Sequence, residues 1–408
     1  MKQESSKKRV NVRRTEIMEM VEKEITGHYQ SDLVDSIRKR DGVLTLPRTE
    51  FILAREFGFC NGVRRAIDIA YAARRVFPGA RLFLIGEIIH NPEVNAQLDS
   101  MGVIRLPWKK ISAEYDTLGE DDVVIVPAFG VPLEFMDELE SKGVTIVDTT
   151  CGDVMKVWKR VKSYADRGIT SIIHGKSTHE ETRATASRAM GSGGNGKYLI
   201  IYTLEDAKQL VDCISGKISP EEFMSRMDGL FSVGFDAKSD LKSIGIANQT
   251  TMLKSETKQI QEMLKAAMEE RDGSADNFHV FDTICGATQD RQDALFKLLE
   301  RKVDMILVVG GYNSSNTTHL VEISKEHVPT YFIEQAGYIQ DITKIKTYDT
   351  DEKKVKIVDA IPALADISRR LKVGITAGAS CPGNLIEDTI CHIARLRGDV
   401  IPALEELR

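Results

Sequence analysis

The chain has 408 residues, of which 42% are apolar and 28% are charged, a composition typical of soluble globular proteins with more than one domain. The net charge of −6 mixes both signs, so nothing demands a nucleic-acid or membrane-surface partner. No apolar run in the sequence approaches the roughly 18 residues needed to cross a bilayer. The six cysteines are few and widely spread, which argues against a disulfide framework and indicates a reducing compartment.

Residues 1–48 are predicted to form an N-terminal extension. The stretch TEIMEMVEKEI has the apolar spacing of a helix. The first residues are basic, but several glutamates follow and an apolar signal core is lacking, which argues against a secretory signal or a transit peptide. We expect this segment to be an appendage that precedes the first buried strand.

One pattern then occurs three times: an apolar strand ends at a cysteine and a helical pattern follows at once. The three copies are TEFILAREFGFCNG with Cys60, GVTIVDTTCGD with Cys151, and NFHVFDTICGA with Cys285. Each copy continues with a second strand, a polar loop and a second helix, and later with a strand that has a polar tip. This alternation predicts an α/β fold of three related units built on parallel sheets.

Two inserted segments interrupt this pattern. Residues 190–230 include GSGGNGK, which lacks the spacing of a phosphate-binding loop and is interpreted as a surface turn before a charged helical stretch. Residues 347–356 are interpreted as a solvated loop or the edge of a sheet.

The three repeated cysteines lie at the carboxyl ends of strands, where parallel α/β units gather their ligands. Each also precedes a helix, whose N-terminus stabilises a thiolate. Threefold packing would bring them to one centre, which favours a 4Fe–4S cluster with three thiolate ligands and one open iron. A zinc ion on three cysteines and a histidine, or cysteines that merely pack, remain alternatives. Cys213 and Cys391 are interpreted as packing residues, and Cys381 has no counterpart in the repeat.

Polar residues cluster at the loops that follow the apolar strands. Most are neutral or switchable hydrogen-bond donors, which predicts a site for a compact anion such as phosphate or diphosphate. These residues are His90, Thr178, His179, Glu181, Asn248, Thr250, Ser314, Ser315, Asn316 and Ser380, with Lys176 and Arg183 as basic candidates. Glu181 is the carboxylate set beside a histidine, so it is the candidate proton donor, although it also suits the first turn of a helix.

Together these residues resemble the 4-hydroxy-3-methylbut-2-enyl diphosphate reductase family, also called LytB. The matching phrases, in the order of the family, are FGFCNGV, IIHNPEV, DTTC, HGKSTHEET, NQTT, GYNSSNT and ITAGASCP. The resemblance implies three pseudo-threefold-related α/β domains, arranged as a trefoil around a central iron–sulfur cluster. We predict an extension at 1–48, domain 1 at 49–150 with a first strand that domain 3 could share, domain 2 at 151–281, and domain 3 with the C-terminal tail at 282–408.

The resemblance also implies a role for individual residues. The cysteines of the repeat match the three ligands of one 4Fe–4S cluster, which leaves an open iron: Cys60, Cys151 and Cys285. The residues that match the diphosphate-binding groups are His90, His179, Ser314, Ser315, Asn316 and Ser380. Glu181 matches the acid that delivers protons, and Thr250 matches the hydroxyl that works with it. Phe129 and Gly152 depart from the family pattern, which more often has a histidine and a proline there.

The implied activity is reductive dehydroxylation of the allylic diphosphate to isopentenyl and dimethylallyl diphosphate, with electrons from an external ferredoxin or flavodoxin. The extension is similar to that of the cyanobacterial and plastid branch, and its intact Met1 and acidic first helix favour a bacterial cytoplasmic protein. No nucleic-acid or membrane partner is expected. Two other functions stay open at this point: a non-redox iron–sulfur hydro-lyase, and a cluster-bearing redox sensor or binding protein.

Overall fold

The computed structural model describes residues 9–109, 111–281 and 284–406, so residues 1–8 and the domain boundary predicted at residue 282 lie outside the described residues. The helices are α1 (Thr15–Tyr29), α2 (Asp32–Arg38), α3 (Asn61–Val76), α4 (Pro92–Ser100), α5 (Leu133–Ser141), α6 (Gly152–Asp166), α7 (Glu180–Ala189), α8 (Leu204–Ile214), α9 (Pro220–Arg226), α10 (Ala237–Asp240), α11 (Lys254–Asp272), α12 (Gly286–Glu300), α13 (Ser315–Lys325), α14 (Pro362–Ala365) and α15 (Gly383–Leu396). The strands are β1 (Val43–Thr45), β2 (Thr49–Leu53), β3 (Leu82–Ile85), β4 (Val103–Leu106), β5 (Val123–Val126), β6 (Thr145–Asp148), β7 (Thr170–His174), β8 (Tyr198–Ile201), β9 (Ile244–Asn248), β10 (Phe278–His279), β11 (Met305–Val309), β12 (Thr330–Ile333), β13 (Lys344–Asp349), β14 (Lys354–Asp359) and β15 (Leu371–Ala377).

The chain divides into two compact units. The first unit comprises Met1–Val12, Val76–Ile88 and Asp99–Cys285, and the second comprises Arg13–Arg75, Ile89–Leu98 and Gly286–Arg408. The first unit contains two parallel sheets, and the second contains one larger sheet and a hairpin. The predicted α/β fold with several parallel sheets is therefore confirmed, whereas the domain boundaries given above stay a prediction.

One sheet of the first unit has the strand order β4-β3-β5-β6, with every neighbouring pair parallel. Its central strands β3 and β5 consist entirely of buried apolar residues, as expected where helices cover both faces of a sheet. At the edge, the amide of Val10 donates to the carbonyl oxygen of Ile146 at 3.2 Å. Strand β6 leads directly to Cys151.

The other sheet of the first unit has the order β10-β9-β7-β8 and is also parallel. Successive residues of a strand point to opposite faces, and the packing follows that alternation. Ile173 packs in one cluster with Val157 of α6, whereas Ile172 packs in another with Leu264 of α11. Helices α6 and α11 therefore cover opposite faces of this sheet.

The sheet of the second unit has the order β1-β2-β15-β11-β12, and all pairs except β1–β2 are parallel. Because β2, β15 and β11 are parallel neighbours, their carboxyl ends lie at the same edge. The loops that follow them carry the predicted residues near Cys60, Ser380 and Ser314. This edge therefore gathers most of the polar groups that were predicted in the second unit.

The extension is more than the appendage expected from the sequence. Its helices α1 and α2 and strand β1 belong to the folded core of the second unit, where Ile25, Ile37 and Leu44 are each at most 4% exposed. The hydroxyl groups of Tyr29 and Tyr71 are hydrogen-bonded at 3.0 Å, which anchors α1 to α3. The apolar spacing of TEIMEMVEKEI predicts a helix but does not show what its apolar stripe packs against, which explains the wrong expectation.

The segment at 347–356 forms a hairpin, which fits its interpretation as the edge of a sheet and not as a loop. Strands β13 and β14 pair in an antiparallel register from Lys344 opposite Asp359 to Asp349 opposite Lys354. Tyr348 stacks on Tyr312 with ring centroids 4.9 Å apart. None of the helices in the described residues is both long and apolar enough to cross a membrane.

Candidate active site

Cys60 lies at the N-terminus of α3 in the second unit. Its amide donates to the carbonyl oxygen of Ala379 at 3.2 Å, which ties it to the loop after β15. Its sulfur accepts a hydrogen bond from the amide of Val63 at 3.4 Å. The first amides of a helix have no partner within the helix, and this contact gives one of them an acceptor.

Cys151 lies at the corresponding position of the first unit, as the residue that caps α6. Its amide donates to the carbonyl oxygen of Ala128 at 2.7 Å, so the loop after β5 holds it in place. Its own side chain does not cap the helix. Cys151 therefore lies between the end of β6 and the start of α6, as the repeat predicts.

Cys285 is the third of the predicted ligand cysteines. It belongs to the first unit and lies beside the carboxylate of Asp153. Its thiol donates to Oδ2 of Asp153 at 3.3 Å, and Asp153 also forms an ion pair with Lys156 at 2.8 Å. The pKa of Asp153 is lowered, first by Lys156 and then by this thiol. Asp153 was not predicted as a site residue; its position two residues after Cys151 is the signal that could have found it.

Glu181 and Thr250 meet in the interior of the first unit. Glu181 is 3% exposed and Thr250 is 6% exposed. The carboxylate accepts hydrogen bonds from the amide of Thr250 at 2.6 Å and from its hydroxyl at 2.9 Å. The carbonyl oxygen of Thr250 accepts from the amide of Cys285 at 3.1 Å. Thr250 therefore links the predicted acid directly to a predicted cluster ligand.

His179 caps the helix that carries Glu181. Its Nδ1 accepts a hydrogen bond from the amide of Glu181 at 3.2 Å. In the neutral ring the proton then sits on Nε2, which makes that nitrogen a donor. Phe129 packs edge-on against this ring, with centroids 6.2 Å apart at 73°. The phenyl group that departs from the family pattern thus contacts a predicted diphosphate-binding histidine.

The predicted polar residues of the second unit lie on adjoining loops. Ser380 donates through its hydroxyl to the carbonyl oxygen of His90 at 3.1 Å. Oδ1 of Asn316 accepts from the amide of Ala379 at 2.9 Å, whereas its Nδ2 is buried and has no hydrogen-bond partner among the described residues. Ser314 caps α13, and Ser315 is the first residue of that helix. The edge therefore offers an unused donor together with a helix N-terminus, both of which favour an anion.

A glycine lets two of these loops approach each other. A Cβ atom added to Gly311 would lie 2.5 Å from the carbonyl oxygen of His90. No side chain larger than hydrogen fits there without a shift of the backbone. Arg291 holds the loop that precedes Cys60, since its guanidinium donates to the carbonyl oxygen of Gly58 and also to that of Ala287. The sequence offers no signal for Arg291, because its partners are backbone atoms.

The remaining cysteines lie away from these contacts. Cys381 is completely buried in the core of the second unit, and Cys391 packs against the same core. Cys213 lies on α8 and packs against the apolar cluster that contains Leu210 and Phe223, and burial raises its pKa to about 11. None of the six cysteines, all of which are described, forms a disulfide.

These contacts define a class of protein: a parallel α/β protein that places thiols, a buried carboxyl group and polar loops near the carboxyl ends of its strands. The chain belongs to the LytB protein family, whose model matches residues 51–394. The family resemblance predicted from the sequence is thereby confirmed. The iron–sulfur class that the family implies is supported as well.

Several relatives are named 4-hydroxy-3-methylbut-2-enyl diphosphate reductase. The protein of Trichormus variabilis is 41% identical over 92% of this chain and 91% of its own length. Those of Picosynechococcus and Gloeobacter violaceus are also 41% identical, over 90% and 93% of this chain and 90% of their own lengths. The activity predicted for this chain is therefore the one its relatives are named for.

Solved structures agree with this assignment. A structure of the diphosphate reductase described as the terminal enzyme of the non-mevalonate pathway has a TM-score of 0.51 at 28% identity, covering 85% of this chain and 99% of that one. The Plasmodium falciparum reductase has a TM-score of 0.60 at 22% identity, covering 84% and 87% of the two chains, which shows the shared fold.

Proposed function

We propose that this chain removes the C4 hydroxyl of (E)-4-hydroxy-3-methylbut-2-enyl diphosphate by reduction, yielding isopentenyl and dimethylallyl diphosphate in the last step of the non-mevalonate pathway. Family membership supports the substrate and the reaction. The observation that carries the proposal is the link through Thr250 from the Glu181 carboxylate to Cys285. This link places the buried carboxyl group of Glu181, the proposed proton donor, near the thiol of Cys285.

One 4Fe–4S cluster held by Cys60, Cys151 and Cys285, with one iron open to the substrate, is the proposed cofactor. When bound, it would pass on the electrons of an external donor and provide a Lewis-acidic iron. The thiols fit such a group because they are half-buried, stand at helix N-termini and form no disulfide. Soft thiolate ligands also suit iron–sulfur clusters better than hard ions such as magnesium.

The diphosphate would be held by neutral donors and helix ends. The proposed residues are His90, His179, Ser314, Ser315, Asn316 and Ser380. Nδ2 of Asn316 is suited to this role because it is a buried donor without a described partner. His179 contributes through Nε2, since its Nδ1 already accepts from the amide of Glu181. The N-terminus of α13 adds backbone amides and the positive end of its dipole.

Glu181 would deliver the proton to the departing hydroxyl. Glu181 is buried, and its hydrogen bonds from Thr250 hold the carboxyl group in one orientation. For this transfer the proton would lie on Oε2 of Glu181, which then donates to the Thr250 hydroxyl oxygen, and the hydroxyl turns its own proton toward the substrate oxygen. General acid catalysis of this kind contributes about 10²–10⁴-fold to a rate.

The reaction needs an external reductant. Two electrons and two protons break the C–O bond, release water and place one hydrogen on the allyl group. We propose a ferredoxin- or flavodoxin-type protein as the donor and the bacterial cytoplasm as the location. No nucleic-acid or membrane partner enters this proposal, and no second cofactor is required.

Anaerobic turnover of the cluster-loaded protein tests this function. The protein is reconstituted with iron and sulfide and mixed with the diphosphate substrate, with and without dithionite and a viologen mediator. Loss of the hydroxyl only when electrons are supplied supports the proposal. Turnover without electrons favours the hydro-lyase, and no turnover by a protein with a full iron content favours the sensor.

A further inference from the structure

Helix α6 begins at one proposed cluster ligand and exposes a basic face. Met155, Lys159 and Lys162 follow the i, i+4, i+7 spacing, so they lie in one row along the helix, and all three are exposed. The amide of Met155 donates to the carbonyl oxygen of Cys151 at 3.0 Å, so the row begins one turn after the cysteine. We call Met155, Lys156, Lys159, Arg160 and Lys162 the α6 face.

An exposed apolar pair extends this face toward the other cysteine of the first unit. Val280 and Phe281 are 47% and 39% exposed, although both are large apolar residues, and Met155 is 36% exposed. The guanidinium of Arg160 lies 4.0 Å from the ring centroid of Phe281, which joins the pair to α6. Phe281 precedes Cys285 by four residues, so the surface extends close to both thiols.

The α6 face is rich in basic residues. The chain as a whole carries a net charge of −6. Helix α6 carries four basic residues against two acidic ones, Asp153 and Asp166. Helix α11, on the opposite face of the same sheet, carries four basic and five acidic residues. A basic surface with an apolar centre, on an otherwise acidic protein, fits an acidic partner protein.

We propose that the α6 face, together with Val280 and Phe281, is the docking surface for a small acidic electron-carrier protein. This inference rests on the proposed function, which requires an external source of two electrons. A one-electron carrier docks twice per turnover and transfers one electron each time toward the cofactor on the cysteines. The lysines steer and orient the carrier, while Met155 and Phe281 form the dry centre of the contact.

A charge reversal on the α6 face tests the docking surface. The probe is a plant-type [2Fe–2S] ferredoxin of net negative charge, and its Kd for the cluster-loaded protein is measured anaerobically at low salt. The variant K159E/K162E avoids Lys156, which contacts the Asp153 carboxylate. We expect its Kd to rise at least tenfold. The matched control K258E/K265E changes the charge equally on α11 and should leave Kd within about twofold of the wild type.

Turnover separates this inference from the proposed function. The variant K159E/K162E should keep its turnover with dithionite, which needs no docking, while the KM for ferredoxin rises at least tenfold. The docking surface is overturned if K159E/K162E binds ferredoxin with the Kd of the wild type. It is also overturned if K159E/K162E and K258E/K265E lose affinity equally. If the wild type shows no turnover with dithionite, the proposed function is contradicted instead. A rise in Kd confined to K159E/K162E would still support the docking surface in that case.

Discussion

Both oxygens of the Glu181 carboxylate accept a hydrogen bond from the same residue, Thr250: Oε1 from its amide at 2.6 Å and Oε2 from its hydroxyl at 2.9 Å. This arrangement fixes the plane of the carboxyl group, because rotation would break at least one bond. It also makes the two residues one unit, since a buried carboxylate cannot lose either donor without cost. Substitutions at the two positions should therefore not be additive.

We first predict that Glu181→Gln lowers turnover by about 10²–10⁴-fold, because an amide cannot deliver a proton. The cluster absorption should be unchanged, since Glu181 is not a thiol ligand. Turnover with dithionite and the visible spectrum are measured on the same sample. Thr250→Ser keeps the hydroxyl and serves as the control, with a loss of less than about tenfold. A Gln variant with wild-type turnover would show that another group delivers the proton.

The repeat explains how much of this fold and site could be predicted. Cys60, Cys151 and Cys285 each stand directly before a helix, as that pattern indicates, whereas β2 and β10 end several residues before their cysteines. Parallel strands form from apolar runs, and helix starts follow from local spacing, so both can be read in sequence. Contacts such as that between the Arg291 guanidinium and the carbonyl oxygen of Gly58 join residues far apart in the chain and leave no local pattern.

The extension marks the limit of such prediction. Helix α1 is held by Tyr29 and by contacts to α3 and α15, whose approach depends on the tertiary fold. Its exposed face is rich in charge, which dominates the composition of the segment. Burial of Val21 and Ile25 therefore became visible only in the structure.

A second prediction separates the cofactor cysteines from the packing cysteines. Replacement of Cys60, Cys151 or Cys285 by serine should lower the iron content and the visible absorption and reduce turnover by more than about 100-fold, because a ligand thiolate is lost. Cys213→Ser and Cys391→Ser should retain both properties. Burial raises the pKa of Cys213 to about 11, so this residue stays a thiol at neutral pH and is a poor ligand. A serine variant at Cys60 with full iron content and wild-type spectrum would contradict its assignment.

A third prediction concerns the departure from the family pattern at position 129. Phe129→His adds a donor beside His179, where the phenyl ring now packs. One additional hydrogen bond to the diphosphate is worth about 0.5–1.5 kcal/mol, so the KM for substrate should fall about two- to tenfold. Phe129→Leu removes the ring without adding a donor and is the matched control. An equal KM in both variants would mean that position 129 does not face the diphosphate.

A fourth prediction concerns pH and the attachment of the extension. Burial raises the pKa of Tyr71 to about 12, and its hydroxyl contacts both Tyr29 and His28. The unfolded tyrosine loses its proton near pH 10, whereas the folded one keeps it to about pH 12. The stability that the protonated hydroxyl provides is thus present below pH 10 and is lost as the pH rises toward 12. The difference in Tm between wild type and Tyr71→Phe should narrow between pH 9 and pH 11.5, and a constant difference would refute the prediction.

The last prediction concerns Arg188, which braces the loop between β5 and α5. Its guanidinium lies 3.5 Å from the ring centroid of Trp158 and donates to the carbonyl oxygens of Val131 at 2.7 Å and Ala184 at 3.0 Å. Burial lowers its pKa to about 10, which shows how far the charge is withdrawn from water. Arg188→Met keeps the apolar contact with Trp158 but removes the donors.

Unfolding by urea measures the consequence. The free energy of unfolding should fall by about 1–3 kcal/mol in Arg188→Met, because the carbonyl oxygen of Val131 loses its donor. Arg226→Met is the control: that arginine forms an exposed pair with Glu222, which contributes at most about 1 kcal/mol. Because the braced loop also carries Phe129, the KM for substrate should rise in Arg188→Met and stay unchanged in Arg226→Met. Equal unfolding free energies in the two variants would show that Arg188 does not hold this loop.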